Sequence, residues 1–443
     1  MSKFITGALL LLLLSTGNSA MADSIFPYKY QKEILPNGLT VIMIPMETPG
    51  LVAYYSVVRS GSRDEVEPGR SGFAHFFEHM MFRGTKKYPG PVYDSVITSI
   101  GANANAYTTD DYTAFHLELA KEDLAKVIEM ESDRFQNLSY AEREFQTESG
   151  AVYGEYRKGI TSPFSVLNEK MQNLAYDVHT YKHTTIGFEA DIKAMPEAYE
   201  YSKSFFHRFY RPENVVLLIV GDINQQKTLA LVKQYYGGWK KGYTAPAIKP
   251  EPPQKGERTA EIDYPGRTLP ILDIAYKGDA YDPGNRMFLA ATLLSDLAFG
   301  ENSDIYKKLV LNEQRVQMIA ASTPINRDMP LFEIYSMVKK TEDIAAVRDE
   351  VYKTLEYFKT TPVDAKKLND LKRRNKYSFL MELSTPDHVA GGLARFAALT
   401  GSIETVNAFY TELEKVTAED VMKAAQKYFV PESRSVVVLK GAK

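Results

Sequence analysis

Residues 208–221 read Arg-Phe-Tyr-Arg-Pro-Glu-Asn-Val-Val-Leu-Leu-Ile-Val-Gly, and residues 427–441 read Lys-Tyr-Phe-Val-Pro-Glu-Ser-Arg-Ser-Val-Val-Val-Leu-Lys-Gly. In each, a proline punctuates the chain and an apolar, β-branched run follows, which is the pattern of a turn leading into a buried strand. Pro212 and Pro431 are 219 positions apart. A second pair of stretches, Glu122-Asp-Leu-Ala-Lys-Val127 and Glu342-Asp-Ile-Ala-Ala-Val347, has helix periodicity and repeats at a shift of 220. Two independent matches at nearly one period indicate an internal duplication. The fold class expected is α+β, with two duplicated α/β-sandwich domains.

The segment joining the copies is rich in proline. Tyr243 to Pro253 contains Pro246, Pro250, Pro252 and Pro253, with Gly242 and Gly256 at its edges. Such a stretch is extended and solvated, as a linker would be. The chain then divides into residues 1–22, a first domain over 23–242, a linker over 243–256 and a second domain over 257–443. A length of 443 residues is too great for one ordinary core. The first domain opens with a hairpin, because Gln31–Leu35 and Leu39–Met43 flank Pro36-Asn37-Gly38, and Asn-Gly is a turn dipeptide. Leu51 to Arg59 is a third strand, and a helix follows near Ser71.

Hydrophobic residues make up 44% and charged residues 25%, the balance of a globular protein. A net charge of −3 offers no basic excess for nucleic acid and no acidic tail. There is no cysteine, which excludes a disulfide framework, a lipid-modified cysteine and a thiol nucleophile. Lys3, the apolar run Phe4–Leu14 and the small-residue site Ala20-Met21-Ala22 have the layout of a secretory signal cut near Ala22. The run is shorter than the roughly 20 apolar residues a membrane span needs. The mature chain is therefore expected to be secreted or periplasmic, with no stable membrane anchor.

His75-Phe-Phe-Glu-His79 carries the chemistry. Residues four apart on a helix share a face, so two imidazoles can reach one ion at about 2.0–2.1 Å each. Glu78 flanks that face and can serve a reacting water as general base without being a ligand. This is the inverted form of the common zinc-peptidase motif. A catalytic zinc needs a third protein ligand. Phe145 to Arg157 reads as a helix with Glu148 and Glu155 seven apart, on one face, and Glu144 nearby. On spacing alone either glutamate could reach the metal while the other supports a ligand, and a solvated acidic face is the bland alternative. The other five histidines carry less: His116 lies in a strand-like run, and His179 and His183 in a polar loop.

His75 to His79, with Glu155 76 residues further on, resembles the pitrilysin family of zinc metallopeptidases, the family of insulin-degrading enzyme and the mitochondrial processing peptidases. Asn105-Ala106-Tyr107-Thr108 after Gly101 resembles its substrate-pairing strand, and Phe209-Tyr210, Pro212, Asn214 and Gly221-Asp222 resemble its closing strand. The resemblance spans nearly all of residues 28 to 443. It implies one zinc per chain on His75, His79 and Glu155, Glu148 in support, and Glu78 as base. It also implies a peptide substrate added along residues 101–113, with Asn105 and Ala106 beside it.

The second copy departs from this pattern. A shift of 219 places Leu294-Ser-Asp-Leu-Ala298 where the zinc motif would fall. The family's Arg and Tyr that hold substrate are also missing: Val310 stands in the place of the Arg, the Tyr would fall near Gln317, and Arg315 is out of register. The expectation is a zinc endopeptidase working with a related subunit that supplies the pair, or as a homodimer. The alternative is a non-catalytic metal-binding or scaffold subunit.

Overall fold

A computed structural model describes residues 24–442; the expected signal segment lies outside the described residues. The first copy forms a six-stranded sheet from β1 (Gln31–Ile34), β2 (Thr40–Pro45), β3 (Leu51–Val58), β4 (Asn103–Thr108), β5 (Thr113–Ala120) and β6 (Val215–Gly221), in the order β1-β2-β6-β3-β5-β4. The second forms a five-stranded sheet from β7 (Arg258–Tyr264), β8 (Ile271–Lys277), β9 (Val316–Ser322), β10 (Leu331–Val338) and β11 (Arg434–Gly441), in the order β7-β11-β8-β10-β9. Omit β1 and the two orders coincide. In each, one pair is parallel (β2 with β6, β11 with β7) and the rest are antiparallel. The two Pro-Glu stretches become short 3₁₀ turns, Pro212–Asn214 and Pro431–Ser433, feeding β6 and β11. The duplication is thus one of architecture as well as sequence.

The expected hairpin is present, with Gln31 opposite Met43 and Gly38 at a φ of 91°. That left-handed conformation is open to glycine at little steric cost. Four helices frame the site and join the two copies: α1 (Phe73–Met80), α2 (Glu142–Gly159), α3 (Pro163–Ala175) and α4 (Pro386–Thr400). Helix α1 packs on one face of the first sheet, where Phe76 and Phe77 join Val52, Tyr54 and Val58.

The other face of that sheet is covered by the second copy. Ala53, Tyr55 and Val57 meet α4, whose Val389, Ala390, Leu393, Ala394 and Ala397 are buried. In return, Leu167, Met171 and Ala175 of α3 lie on Ile271, Ala275, Val437 and Leu439 of the second sheet. Each copy lends a helix to its neighbour's core. Alternating side chains on a strand point to opposite faces, so a sheet with apolar residues on both needs two covers.

Tyr243–Pro253 contains neither helix nor strand. It is not simply solvated, however. The Glu251 side chain is buried, takes 2.9 Å from Lys277 Nζ, and accepts the backbone N–H of Asp177, Val178 and His179 at 2.8, 3.0 and 3.0 Å. Burial opposes the charge, yet Lys277 and the three amides overcome it and bring the Glu251 pKa down to about 2. A depressed folded pKa gives stability that is complete above the ordinary carboxylate value and lost as pH falls through the folded one. Glu251→Gln is expected to cost about 2 kcal/mol near neutral pH, the scale of hydrogen bonds to a charged group. The gap should close between the ordinary value of 4.5 and about 2. Urea midpoints of both proteins across that range check it; a pH-independent gap would refute the charge argument.

Candidate metal centre

Gly72, at a φ of 92°, turns the chain into α1. The buried carboxylate of Glu65 accepts the N–H of Gly72 at 2.7 Å and of Ala74 at 2.6 Å, satisfying amides the helix itself leaves open. This fixed start sets where His75, Glu78 and His79 point.

Helix α2 crosses beside α1. Glu155 Oε2 lies 3.4 Å from His79 Nε2 and 3.7 Å from His75 Nε2. One ligand atom from each of the three residues falls within 4.8 Å of the others. Ligands about 2.05 Å from a tetrahedral ion are about 3.3 Å apart, so the observed separations need only a small contraction around zinc. Two imidazole nitrogens and a carboxylate oxygen also form a donor set that zinc accepts in catalytic sites. The residues fit the ion.

Glu148, two turns earlier on α2, stands behind the pair. Its Oε1 is 2.9 Å from His79 Nδ1. This bond assigns the proton of a neutral His79 to Nδ1 and leaves Nε2 free to ligate. Arg83 grips the other Glu148 oxygen through Nε at 2.7 Å and also through Nη2. Burial raises the Glu148 pKa, but the hydrogen bonds from His79 and Arg83 outweigh it and hold the carboxyl below its usual range. The same hydrogen bond raises the His79 pKa, whereas burial lowers that of His75. The geometry separates the two glutamates that spacing left open: Glu155 faces both histidines and Glu148 backs one. Glu144 does neither; it caps the start of α2 by accepting the N–H of Ala141 at 2.7 Å.

Glu78 Oε2 accepts the Thr108 hydroxyl at 2.6 Å. Thr108 ends β4, which among the described residues pairs only with β5, so its other edge is free there. Asn105 is exposed on that strand, not in a turn, and its Oδ1 accepts the N–H of Ala106 at 2.9 Å. Arg83 was not singled out from sequence, and Thr108 only as the end of the substrate-strand stretch, without its contact to Glu78. Arg83 had a readable signal, since it follows His79 by four residues and continues its helical face. The pairing of Thr108 with Glu78 had none, because it joins a strand end to a helix 30 residues earlier.

Three of the other histidines pack into the fold. His116 stacks on Tyr55 with centroids 4.8 Å apart and faces Asp387 of α4 at 3.7 Å. His179 and His183 lie in the loop expected but are buried, and His179 Nε2 sits 3.0 Å from Asp328. In the second copy, Leu294–Ala298 falls within the helix Arg286–Phe299, the counterpart of α1. Arg315 is engaged by Glu313 at 2.9 Å and Asp343 at 3.6 Å.

A duplicated α/β frame with an HxxEH helix facing a glutamate helix defines a two-domain protein with a candidate zinc site. The chain belongs to the insulinase family, peptidase family M16. The family's insulinase model matches residues 49–188, and its inactive-domain model matches residues 198–375. Among relatives, the zinc protease PqqE of Helicobacter pylori is 29% identical over 444 residues, covering 99% of this chain and 98% of that protein. The mitochondrial-processing peptidase subunit beta of Saccharomyces cerevisiae is 22% identical over 423 residues, covering 91% and 90%. The crystal structure of a protease from Helicobacter pylori superposes with a TM-score of 0.87 at 27% identity, covering 93% of this chain and 99% of that one.

Proposed function

We propose that this chain is a zinc-dependent endopeptidase acting on peptides or unfolded segments, with one zinc on His75, His79 and Glu155. The observation that carries the proposal is the placement of Glu78. It is held by Thr108 on the side of α1 that carries the histidines, beside a free strand edge. When bound, zinc would polarise the scissile carbonyl and acidify an attacking water. Glu78 takes the proton of that water and passes it to the leaving amine. Thr108 keeps the carboxylate aimed, and Glu148 with Arg83 fixes the ring and tautomer of His79. The free edge of β4 offers backbone N–H and C=O groups to an extended peptide, with Asn105 and Ala106 beside it. In this reading residues 23–242 form the catalytic domain, 243–256 the linker and 257–443 a non-catalytic substrate-binding copy.

Localisation follows from the N-terminal residues in the same reading: Phe4–Leu14 and Ala20-Met21-Ala22 direct export, and the mature chain works in the periplasm. Among the described residues, no helix is long and apolar enough to cross a membrane.

A partner subunit is part of the proposal. Arg315 is engaged by two carboxylates, and Val310 and Gln317 stand in the sequence places of the Arg and Tyr, so in this reading the second copy lacks the substrate-holding pair. Orientation supplies several kcal/mol of barrier lowering in general. A related subunit lacking HxxEH but holding that pair would complete the site; a homodimer is the alternative. The name of the yeast relative, a subunit beta, is consistent with a family member that works in an assembly. The test is to purify the mature chain, measure zinc stoichiometry, size it, and assay a mixed peptide library with and without chelator. Chelator-sensitive cleavage that rises when a related subunit is added is expected. Bound zinc with no cleavage under any pairing favours the non-catalytic alternative. Full turnover by a monomer or homodimer, unchanged by any related subunit, removes the heterodimer.

A further inference from the structure

The contact between the two copies contains a pair of acids. β8 is the central strand of the second sheet, between β11 and β10, and all of its residues are buried. Asp273 stands at its middle, with Val437 opposite on β11 and Tyr335 opposite on β10. Glu333, partly buried, comes two residues before Tyr335 and lies opposite Ala275. Side chains two apart on a strand point to one face. Asp273 and Glu333 are therefore diagonal neighbours, about 7–8 Å apart or less. They share their face with Ile271, Ala275, Val437 and Leu439, the residues that α3 of the first copy covers.

No cation answers the pair. Among the described residues neither acid has an ion pair, and Asp273 Oδ1 is buried without a hydrogen-bond partner. The flanking strands face them with Ala320 and Ser322 of β9 and Ser435 and Val437 of β11, none charged. α3 contributes Leu167, Met171 and Ala175, while its Glu169 and Lys170 line an open groove beside it. Lys277, at the end of β8, is held by Glu251 at 2.9 Å. Arg258 of β7 is taken up by Asp177 at 2.5 Å and by the carbonyls of Leu174 and Ala175. Tyr335 meets Phe164 edge-on, and the Tyr176 hydroxyl donates to the Met329 carbonyl. Asp328 is matched by Arg63 and His179. The remaining neighbour from the first copy, Asp110 of the β4–β5 turn, is itself an acid. Burial and then Glu333 oppose ionisation of Asp273, and burial and then Asp110 oppose that of Glu333. Both carboxyls therefore titrate above their ordinary values of 3.8 and 4.5.

We propose that the docking of α3 on the second sheet is a proton-dependent latch, closed while Asp273 and Glu333 are neutral and released when the pair ionises. Below the ordinary carboxylate values the docked and undocked forms are both protonated, and the apolar contact has its full strength. Above them the undocked pair, exposed to water, gives up its protons while the docked pair keeps them. Docking therefore weakens with rising pH until the docked pair ionises as well. Each retained proton makes opening about tenfold more favourable per pH unit. Only Ile160–Ser162 separate α3 from α2, so release of α3 loosens the end of the helix that bears Glu155.

Hydrogen exchange of backbone amides in the intact chain, followed from about pH 4 to about pH 9, tests the latch. Asp273→Asn and Glu333→Gln keep the size of each side chain and remove its charge. Comparison at one pH cancels the chemical exchange rate and leaves the opening equilibrium. Near pH 4 the unaltered protein and both variants are expected to exchange alike. Near pH 8 the amides of α3 and of the last turn of α2 should exchange roughly tenfold or more faster in the unaltered protein, the scale of one proton over one pH unit. Its urea midpoint should also fall below those of the variants there and match them near pH 4. Variants that exchange as fast as the unaltered protein at every pH overturn the latch. So does a gap spread evenly over the whole chain, which would mark global unfolding. If one variant fails to fold, the other decides, because either removes one of the two charges. No peptide is cleaved in this measurement, so its result stands apart from the peptidase reading.

Discussion

Glu78→Gln is expected to remove peptide hydrolysis while leaving zinc content unchanged. Glutamine has the size of glutamate, and its carbonyl can still accept the Thr108 hydroxyl that Glu78 Oε2 accepts at 2.6 Å. His75, His79 and Glu155, the proposed ligands, keep their places. What disappears is the group proposed to carry a proton from the attacking water to the leaving amine, a step worth roughly 10²–10⁴-fold in rate. Metal analysis and kcat/KM on one preparation check it together. Retained turnover with zinc bound would remove Glu78 from the mechanism, whereas loss of both would make it a ligand.

Glu155→Gln and Glu148→Gln should differ in kind. Glu155 Oε2 is the atom within 3.4 and 3.7 Å of the two histidine nitrogens, so Glu155→Gln is expected to take away one of the three proposed ligands and most of the metal affinity. Glu148 touches His79 from behind and is itself held by Arg83. Its loss releases a ring and a tautomer, and the expected effect is roughly 10–100-fold in metal affinity or activity. Titration of apo protein with zinc against a competing chelator separates the two. The reverse ranking would show that the glutamates have been assigned the wrong way round.

The parts of this molecule that were legible in the sequence are those set by short-range periodicity. Two imidazoles four residues apart, a glutamate between them, and an Asn-Gly turn between apolar runs each declare their geometry within a few residues. The duplication was legible because the two Pro-Glu stretches retain one spacing. Glu148 and Glu155 were visible as a pair from helix spacing alone, and only the family resemblance told them apart, because which of them faces the histidines depends on how α2 crosses α1. Arg83 is readable in hindsight from its helical phase. The anchoring of Glu251 was hidden because its partners, Lys277 and the amides of residues 177–179, lie on separate elements. Burial of His179 depends on Asp328, 149 residues away. The exchange of α3 and α4 was equally hidden, since an apolar helix face shows that something covers it and not what.

That exchange has a kinetic consequence. The first sheet cannot be covered on both faces until α4 exists, and the Tyr55–Asp387 hydrogen bond closes a separation of 332 residues. At synthesis rates of roughly 5–20 residues per second, β3 waits roughly 15–65 s for its cover. During that time Ala53, Tyr55 and Val57 lack the α4 side chains that cover them, and so distant a pairing also makes closure slow once the chain is complete. The nascent chain is thereby kept from reaching its final packing early. That delay is written into the order in which helices reach their sheets.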